Sequence, residues 1–262
     1  MYDDNLNGTP AIEAAGLTKI YENGVKALDD VSFKIMPGTI FALLGGNGAG
    51  KTTAINLFLN FIEPTGGQAK INGIVTHQEP LAARQNVAFV SENVMLYGNF
   101  TAIQNLDFFA KLGGRLDYSR GDYHYILSRV GLAEEFHTKK LKDFSKGMRQ
   151  KCGIAIAIAK NASAILLDEP TSGLDPKAGR DFIDLLRSLK KENKAILMST
   201  HDIFRAREVA DTVAIMDRGR LVVQKPVSEI ADKDLEQLYM QYMSGLNGSE
   251  NQTGESHAQD IN

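Results

Sequence analysis

Two short runs in this chain hold residue types that could bind phosphate and activate water. GGNGAGKT at positions 45–52 satisfies G-x-x-x-x-G-K-[ST] at every fixed position. Glycines at 45, 46, 48 and 50, with Asn47 and Ala49 between them, let backbone N–H groups wrap a phosphate without Cβ clashes. Lys51 supplies a cation to the β/γ oxygens, and the Thr52 hydroxyl is suited to ligate Mg²⁺. ILLDEP at 165–170 brings the complementary acids. An apolar strand delivers Asp168 at its carboxyl end, where ligands sit in open α/β sheets, and Asp168 is expected to hold Mg²⁺ through water. Glu169 follows directly and can polarise an attacking water.

These residues need rigid elements behind them. The apolar run TIFALL at 39–44 reads as a buried strand, and 51–62 as the helix that follows the loop. Further strands are expected near 11–15, 27–35, 68–74 and 86–91. The middle reads as mostly helical: 100–112 opens on a Thr101/Gln104 capping box, and 123–130 and 147–159 follow. Strand–helix alternation then returns, with strands at 164–167, 195–198 and 212–216. Asp175-Pro176 caps a helix that buries Phe182, Leu185, Leu186 and Leu189, and a short helix spans 203–209. Alternation on this scale predicts an α/β fold with a parallel sheet covered on both faces.

The composition excludes some classes. The 262 residues carry a formal net charge of −3, which does not suit wholesale binding to nucleic acid. One cysteine, Cys152, forms neither an internal disulfide nor a zinc site, which points to a reducing compartment. No apolar run reaches the ~18 residues of a membrane span, and the acidic opening MYDDNLNGTP is not expected to act as a secretory signal. The stretch 244–262, rich in Ser, Gly, Asn, Gln and Glu, is expected to be disordered.

In this order and spacing the motifs resemble the ATP-binding subunit of an ATP-binding-cassette (ABC) transporter, of a bacterial exporter-like subtype, over nearly the whole chain. The loop at 45–52 resembles the Walker A motif and the strand at 165–169 the Walker B motif. FSKGMRQK at 144–151 stands where the family has its signature, SGLD at 172–175 is similar to the D-loop, and STHD at 199–202 places His201 at the switch histidine. The resemblance implies a P-loop NTPase with a RecA-like parallel core, an N-terminal antiparallel β subdomain and an inserted α-helical subdomain. The implied ABC ATPase domain covers 1–243, its core at about 10–92 and 160–243 and the helical subdomain at about 93–159.

It also implies roles. ATP and Mg²⁺ would bind at Gly45–Gly50 with Lys51, Thr52 and Thr53. Tyr21 would stack on adenine, an interaction of ~1–3 kcal/mol by analogy with nucleic-acid platforms. Glu169, His201 and Lys51 would serve hydrolysis, His201 contacting the γ-phosphate and bracing Glu169. Thr52, Asp168 and Glu92 would reach the metal. Ser145, Lys146, Gly147 and Met148 would meet ATP held by a second cassette, an identical chain in the simplest case, and Asp175 would contact that partner. A polytopic membrane permease would hold the subunit at the cytoplasmic face of the membrane, and no nucleic acid is expected. Met95, Leu96, Tyr97 and Phe100 form an apolar cluster that either packs in the helical core or lines a groove for a helix of the permease.

The chain departs from the family pattern at several positions. Glu92 replaces the usual glutamine, adding negative charge close to phosphate. Phe144, Lys146 and Met148 replace Leu, Gly and Gln of the signature, and Lys146 has no evident reason in the sequence. Gly46 stands where proline is common, a harmless change in a loop that needs permissive backbone. Two other readings remain: a soluble ABC ATPase acting on nucleic acid or ribosomes, disfavoured by one cassette, one cysteine and no heptad run, and a regulatory ATP-binding subunit with little turnover. His137 with Lys139, Lys140 and Lys142 reads as a solvated basic loop, and Cys152 as a small buried hydrophobe.

Overall fold

The computed structural model describes residues 8–230 and 234–243; the N-terminal opening and the stretch 244–262 lie outside the described residues. In chain order come β1 (Ile12–Ile20), β2 (Lys26–Ile35), β3 (Ile40–Leu44), α1 (Lys51–Phe58), β4 (Gly66–Ile71), β5 (Ile74–Val75), α2 (Pro80–Asn86) and β6 (Val87–Val90). The helices α3 (Ala102–Leu112), α4 (Arg120–Arg129) and α5 (Lys146–Ala159) follow. Then come β7 (Ala164–Asp168), α6 (Pro176–Lys191), β8 (Ala195–Thr200), α7 (Ile203–Val209), β9 (Thr212–Asp217), β10 (Arg220–Pro226) and α8 (Asp234–Met243).

Two sheets organise the molecule. One is antiparallel, in the order β2-β1-β4-β5; the other runs β10-β9-β3-β8-β7-β6 and is parallel except for the β9–β10 edge. All five residues of β3 are buried, because both faces of its sheet are covered. Ile40, Ala42 and Leu44 join the helical side with Ile165, Leu167, Ile196 and Met198. Phe41 and Leu43 face the antiparallel sheet, in one core with Phe33, Phe58, Leu166 and Leu197. The strand β2 buries Val31, Phe33 and Ile35 and exposes Ser32 and Lys34 between them, the alternation of a half-covered antiparallel strand. This is an α/β P-loop NTPase fold with an antiparallel β subdomain and an inserted helical part.

Several boundaries differ from those expected. The helix after the phosphate loop stops at Phe58 instead of residue 62, and Asn60 takes a left-handed φ of 51°. The expected strand at 68–74 is a hairpin: Asn72 and Gly73, at φ 50° and 79°, turn β4 back into β5. Asn-Gly with both residues at positive φ is the strongest short hairpin signal in a sequence, and it sat inside the apolar pattern. The helix expected from 123 begins at Arg120, capped by Ser119 and Asp122 in a reciprocal box. The short helix α2, the edge strand β10 and α8 are additions to the expected elements; α8 carries Leu235, Leu238, Tyr239 and Tyr242 at helical spacing, packed on the core.

His137 is not solvated. It is fully buried, its Nδ1 2.9 Å from Nδ1 of His124 and its Nε2 2.9 Å from the Leu132 carbonyl oxygen. Two polar partners allow burial of an imidazole that the neighbouring lysines made look exposed. Cys152 is buried as expected, and burial pushes its thiol up to about 12. Among the described residues, no helix is long and apolar enough to cross a membrane.

Candidate nucleotide site

The site lies at the carboxyl ends of β3, β7 and β8, three adjacent parallel strands. Leu44 ends β3, and the loop turns from it into α1. A Cβ on Gly45 would sit 2.6 Å from the Met216 carbonyl oxygen, and one on Gly50 would sit 2.6 Å from that of Ala27. Gly50 also has φ 110°, so only glycine fits there. By contrast, a Cβ on Gly48 would meet nothing within 4 Å; that part of the loop faces outward. A shallow hollow beside the loop is bounded by Asp217, Arg218 and Tyr242.

Lys51 is only 7% exposed. Its ammonium donates to the carbonyl oxygens of Gly45 at 2.6 Å and Gly46 at 3.2 Å and lies 3.7 Å from Glu169 Oε1. A buried cation curled into a glycine loop at a helix start is chemistry suited to phosphate. Thr52, next on α1, donates its hydroxyl to Asp168 Oδ2 at 3.2 Å. Hydroxyl and carboxylate oxygens at one point are a hard donor set, the kind Mg²⁺ takes alongside phosphate. Among the described residues, no group of three or more His, Cys, Asp or Glu side chains is arranged to hold a metal by itself.

Glu169 has a left-handed φ of 46°, a costly conformation for a side chain with a Cβ. Its N–H donates to both Oγ and the carbonyl oxygen of Ser199, each at 3.1 Å. The same Ser199 hydroxyl donates to Asp168 Oδ1. One buried serine on β8 thus holds both acids, Asp168 at the end of β7 and Glu169 just beyond it. This serine's one signal in the sequence is a small polar residue at the end of an apolar strand, too weak to single it out. His201, just beyond β8, places Nδ1 2.9 Å from Glu169 Oε2. Tyr21, half-exposed, places its hydroxyl 3.5 Å from Thr53 Oγ1 beside the start of α1.

The signature run lies beside the start of α6. Ser145 caps α5, its Oγ accepting from Met148 N at 3.3 Å. A Cβ on Gly147 would be 3.3 Å from Ala178 Cβ, which keeps the starts of α5 and α6 close. Asp175 caps α6, accepting from Lys177 N and Ala178 N at 3.0 and 2.9 Å. Phe144 is buried edge-on against Phe136, and Met148 is half-buried against the helical core.

Lys146, unexplained by sequence, donates to Glu92 Oε1 at 3.3 Å. Ser172 donates to the same oxygen at 2.9 Å. The Ser172 hydrogen bond, then that from Lys146, holds the Glu92 carboxyl below the usual carboxylate range. Glu92 is therefore brought to Ser172 and Lys146, while Thr52 and Asp168 are brought to each other.

Among the residues after Glu92, Met95 is 88% exposed, and Tyr97 and Phe100 are roughly half-exposed, so these three do not form the helical core; Leu96 packs partly against it. Tyr97, Phe100 and Phe108 make an aromatic group, with Tyr97 5.1 Å from each of the other two rings. Buried Asn105 holds the loop beneath them, accepting from Tyr97 N and donating to the carbonyl oxygens of Tyr97 and Thr101.

The model of the ABC transporter family matches residues 28–172. The daunorubicin/doxorubicin resistance ATP-binding protein DrrA of Streptomyces peucetius is 31% identical over 86% of this chain and 68% of its own. The bacitracin transport ATP-binding protein BcrA of Bacillus licheniformis is 35% identical over 88% of this chain and 74% of its own. Among solved structures, the dimeric post-hydrolysis state of the ATP-binding cassette MJ0796 bound to ADP and Pi is 28% identical, with a TM-score of 0.75 over 82% of this chain and 98% of that one. Phosphate loop, paired acids and family match agree: the chain belongs to the ABC transporter family, as an ATP-binding subunit.

Proposed function

We propose that this subunit binds ATP with Mg²⁺ at the 45–52 loop, hydrolyses it, and powers an exporter through ATP-driven pairing with a second cassette, an identical chain in the simplest case. The observation that carries the reading is the joining of Lys51, Glu169 and His201 through one carboxylate, beside the Thr52–Asp168 pair. Lys51 and the loop N–H groups would bind the phosphates, and Tyr21 would carry the base on its ring face. Glu169, held by Ser199 and His201, would take the proton of the attacking water, with His201 keeping the carboxylate aimed. Mg²⁺, when bound, neutralises developing charge on the phosphate oxygens. Thr52 and Asp168 would hold it. Glu92, whose Oε1 is taken up by Lys146 and Ser172, would join them as a third ligand.

The second cassette would present Ser145, Lys146, Gly147 and Met148 to this nucleotide, with Asp175 at the joint. The exposed aromatic group around Tyr97 suits an apolar segment of a polytopic membrane permease, which would hold the subunit at the cytoplasmic face. The residues 93–159 would then move as a helical subdomain against the core at 10–92 and 160–243. The names of DrrA and BcrA speak of drug resistance and bacitracin transport, which supports export. The test is phosphate release by the purified chain in Mg²⁺ and in EDTA. Turnover that needs Mg²⁺ and disappears in Lys51→Ala supports the reading; turnover indifferent to both overturns it.

A further inference from the structure

We propose that Lys146 is a positioning residue for Glu92: its ammonium holds and neutralises a carboxylate that otherwise would repel nucleotide phosphates bound in the same subunit. The inference rests on the nucleotide site proposed above.

The two residues lie 54 positions apart in sequence, yet α5 grips the Glu92 loop twice. Gln150, fully buried, donates Nε2 to the carbonyl oxygens of Ser91 at 3.1 Å and Glu92 at 2.9 Å. Lys146 is four residues earlier on α5, hence on the same helix face, and takes the side chain whose backbone Gln150 fixes. Ser172 adds a third strut from the loop before α6. The Lys146 stem runs past Gly173, where an added Cβ would be 3.6 Å from Nζ and 3.9 Å from Cδ. An isolated half-exposed ion pair contributes little, because two long side chains must be ordered for it. Here the backbone of one partner is already held, and the carboxylate has a second donor.

Charge balance gives the pair its purpose. Ser172, which donates its hydroxyl to Glu92, also donates its backbone N–H to the Glu169 carbonyl oxygen at 3.1 Å, so Glu92 belongs to the same charged neighbourhood as Glu169 and Lys51. That neighbourhood already contains Asp168 and Glu169, and nucleotide adds several negative charges. An unpaired Glu92 would oppose binding; one paired to Lys146 would not. The usual family residues, glutamine and glycine, are both uncharged. The two departures at 92 and 146 are thus opposite charges in contact.

The test is calorimetric titration of ATP in EDTA into the full-length monomer, a binding measurement independent of turnover. Lys146→Gly is expected to raise Kd about five- to tenfold at low salt, with the gap closing as NaCl rises. Lys146→Arg should stay within about twofold of the parent, since it keeps the charge. Glu92→Gln/Lys146→Gly should return to within about twofold, because removing the carboxylate removes the need for the ammonium. Thermal unfolding of each variant checks folding. The proposal is overturned if Lys146→Gly leaves Kd unchanged, or if the double variant binds as weakly as Lys146→Gly. Binding by the parent that is insensitive to Lys51→Ala would instead overturn the nucleotide-site reading on which the proposal stands.

Discussion

His201 Nδ1 lies 2.9 Å from Glu169 Oε2, although the two residues follow different strands, β8 and β7. Strand pairing makes this contact. Asp168 and Ser199 are direct neighbours in the parallel ladder, so the next residue on one strand and the second on the other both emerge over the sheet's carboxyl edge. Glu169 cannot turn away, because its backbone is tied to Ser199 and held at positive φ.

Glu169→Gln removes the proton acceptor while preserving shape. Loss of a positioned general base is expected to slow phosphate release by at least about 10²-fold. ATP binding, measured by calorimetry, should persist within a few-fold. Near-parental turnover would remove Glu169 from the role of base.

Lys51→Ala deletes the buried ammonium that the Gly45 and Gly46 carbonyl oxygens now hold. Charge-assisted bonds to phosphate are expected to be lost, raising the Kd for ATP about 10- to 100-fold. Equilibrium titration of the two proteins measures it directly.

Ser199→Ala leaves Asp168 and Glu169 without their shared hydroxyl. Ser199 is fully buried, so a loss of ~1–2 kcal/mol in unfolding free energy is expected. Turnover should fall by more than ATP affinity, because both acids lose their orientation; denaturant melts and steady-state kinetics separate the two effects.

Cys152 is expected to resist alkylation by iodoacetamide at pH 8 in the folded protein and to react on unfolding. Burial pushes the thiol up to about 12, so only roughly one molecule in 10⁴ would be thiolate at that pH. The sign is that of an acid held neutral: the folded state keeps this contribution below the ordinary thiol range and loses it as pH rises toward 12. Rapid labelling of native protein, read by mass spectrometry, would contradict this burial.

The phosphate loop and the paired acids were legible because their chemistry is local: consecutive residues at set spacing. The buried parallel strands were legible from unbroken apolar runs, and the caps at Thr101 and Asp175 from residue type. What escaped depended on distance. Ser199 serves acids 30 and 31 positions away, and Lys146 serves Glu92 across 54. His137 looked exposed beside three lysines because its partner His124 lies on α4, 13 positions earlier in the chain. The hairpin at Asn72-Gly73 was a local signal overridden by the apolar residues around it.

The most direct measurement is light scattering of Glu169→Gln with ATP, alone and combined with Ser145→Arg. ATP should convert Glu169→Gln from monomer to dimer, since the nucleotide is bound but not consumed. Adding Ser145→Arg should leave ATP bound to a monomer, because the start of α5 could no longer close on the other chain's nucleotide. A Glu169→Gln protein that binds ATP and stays monomeric, or a dimer that survives Ser145→Arg, would contradict the head-to-tail pairing through which ATP is proposed to act.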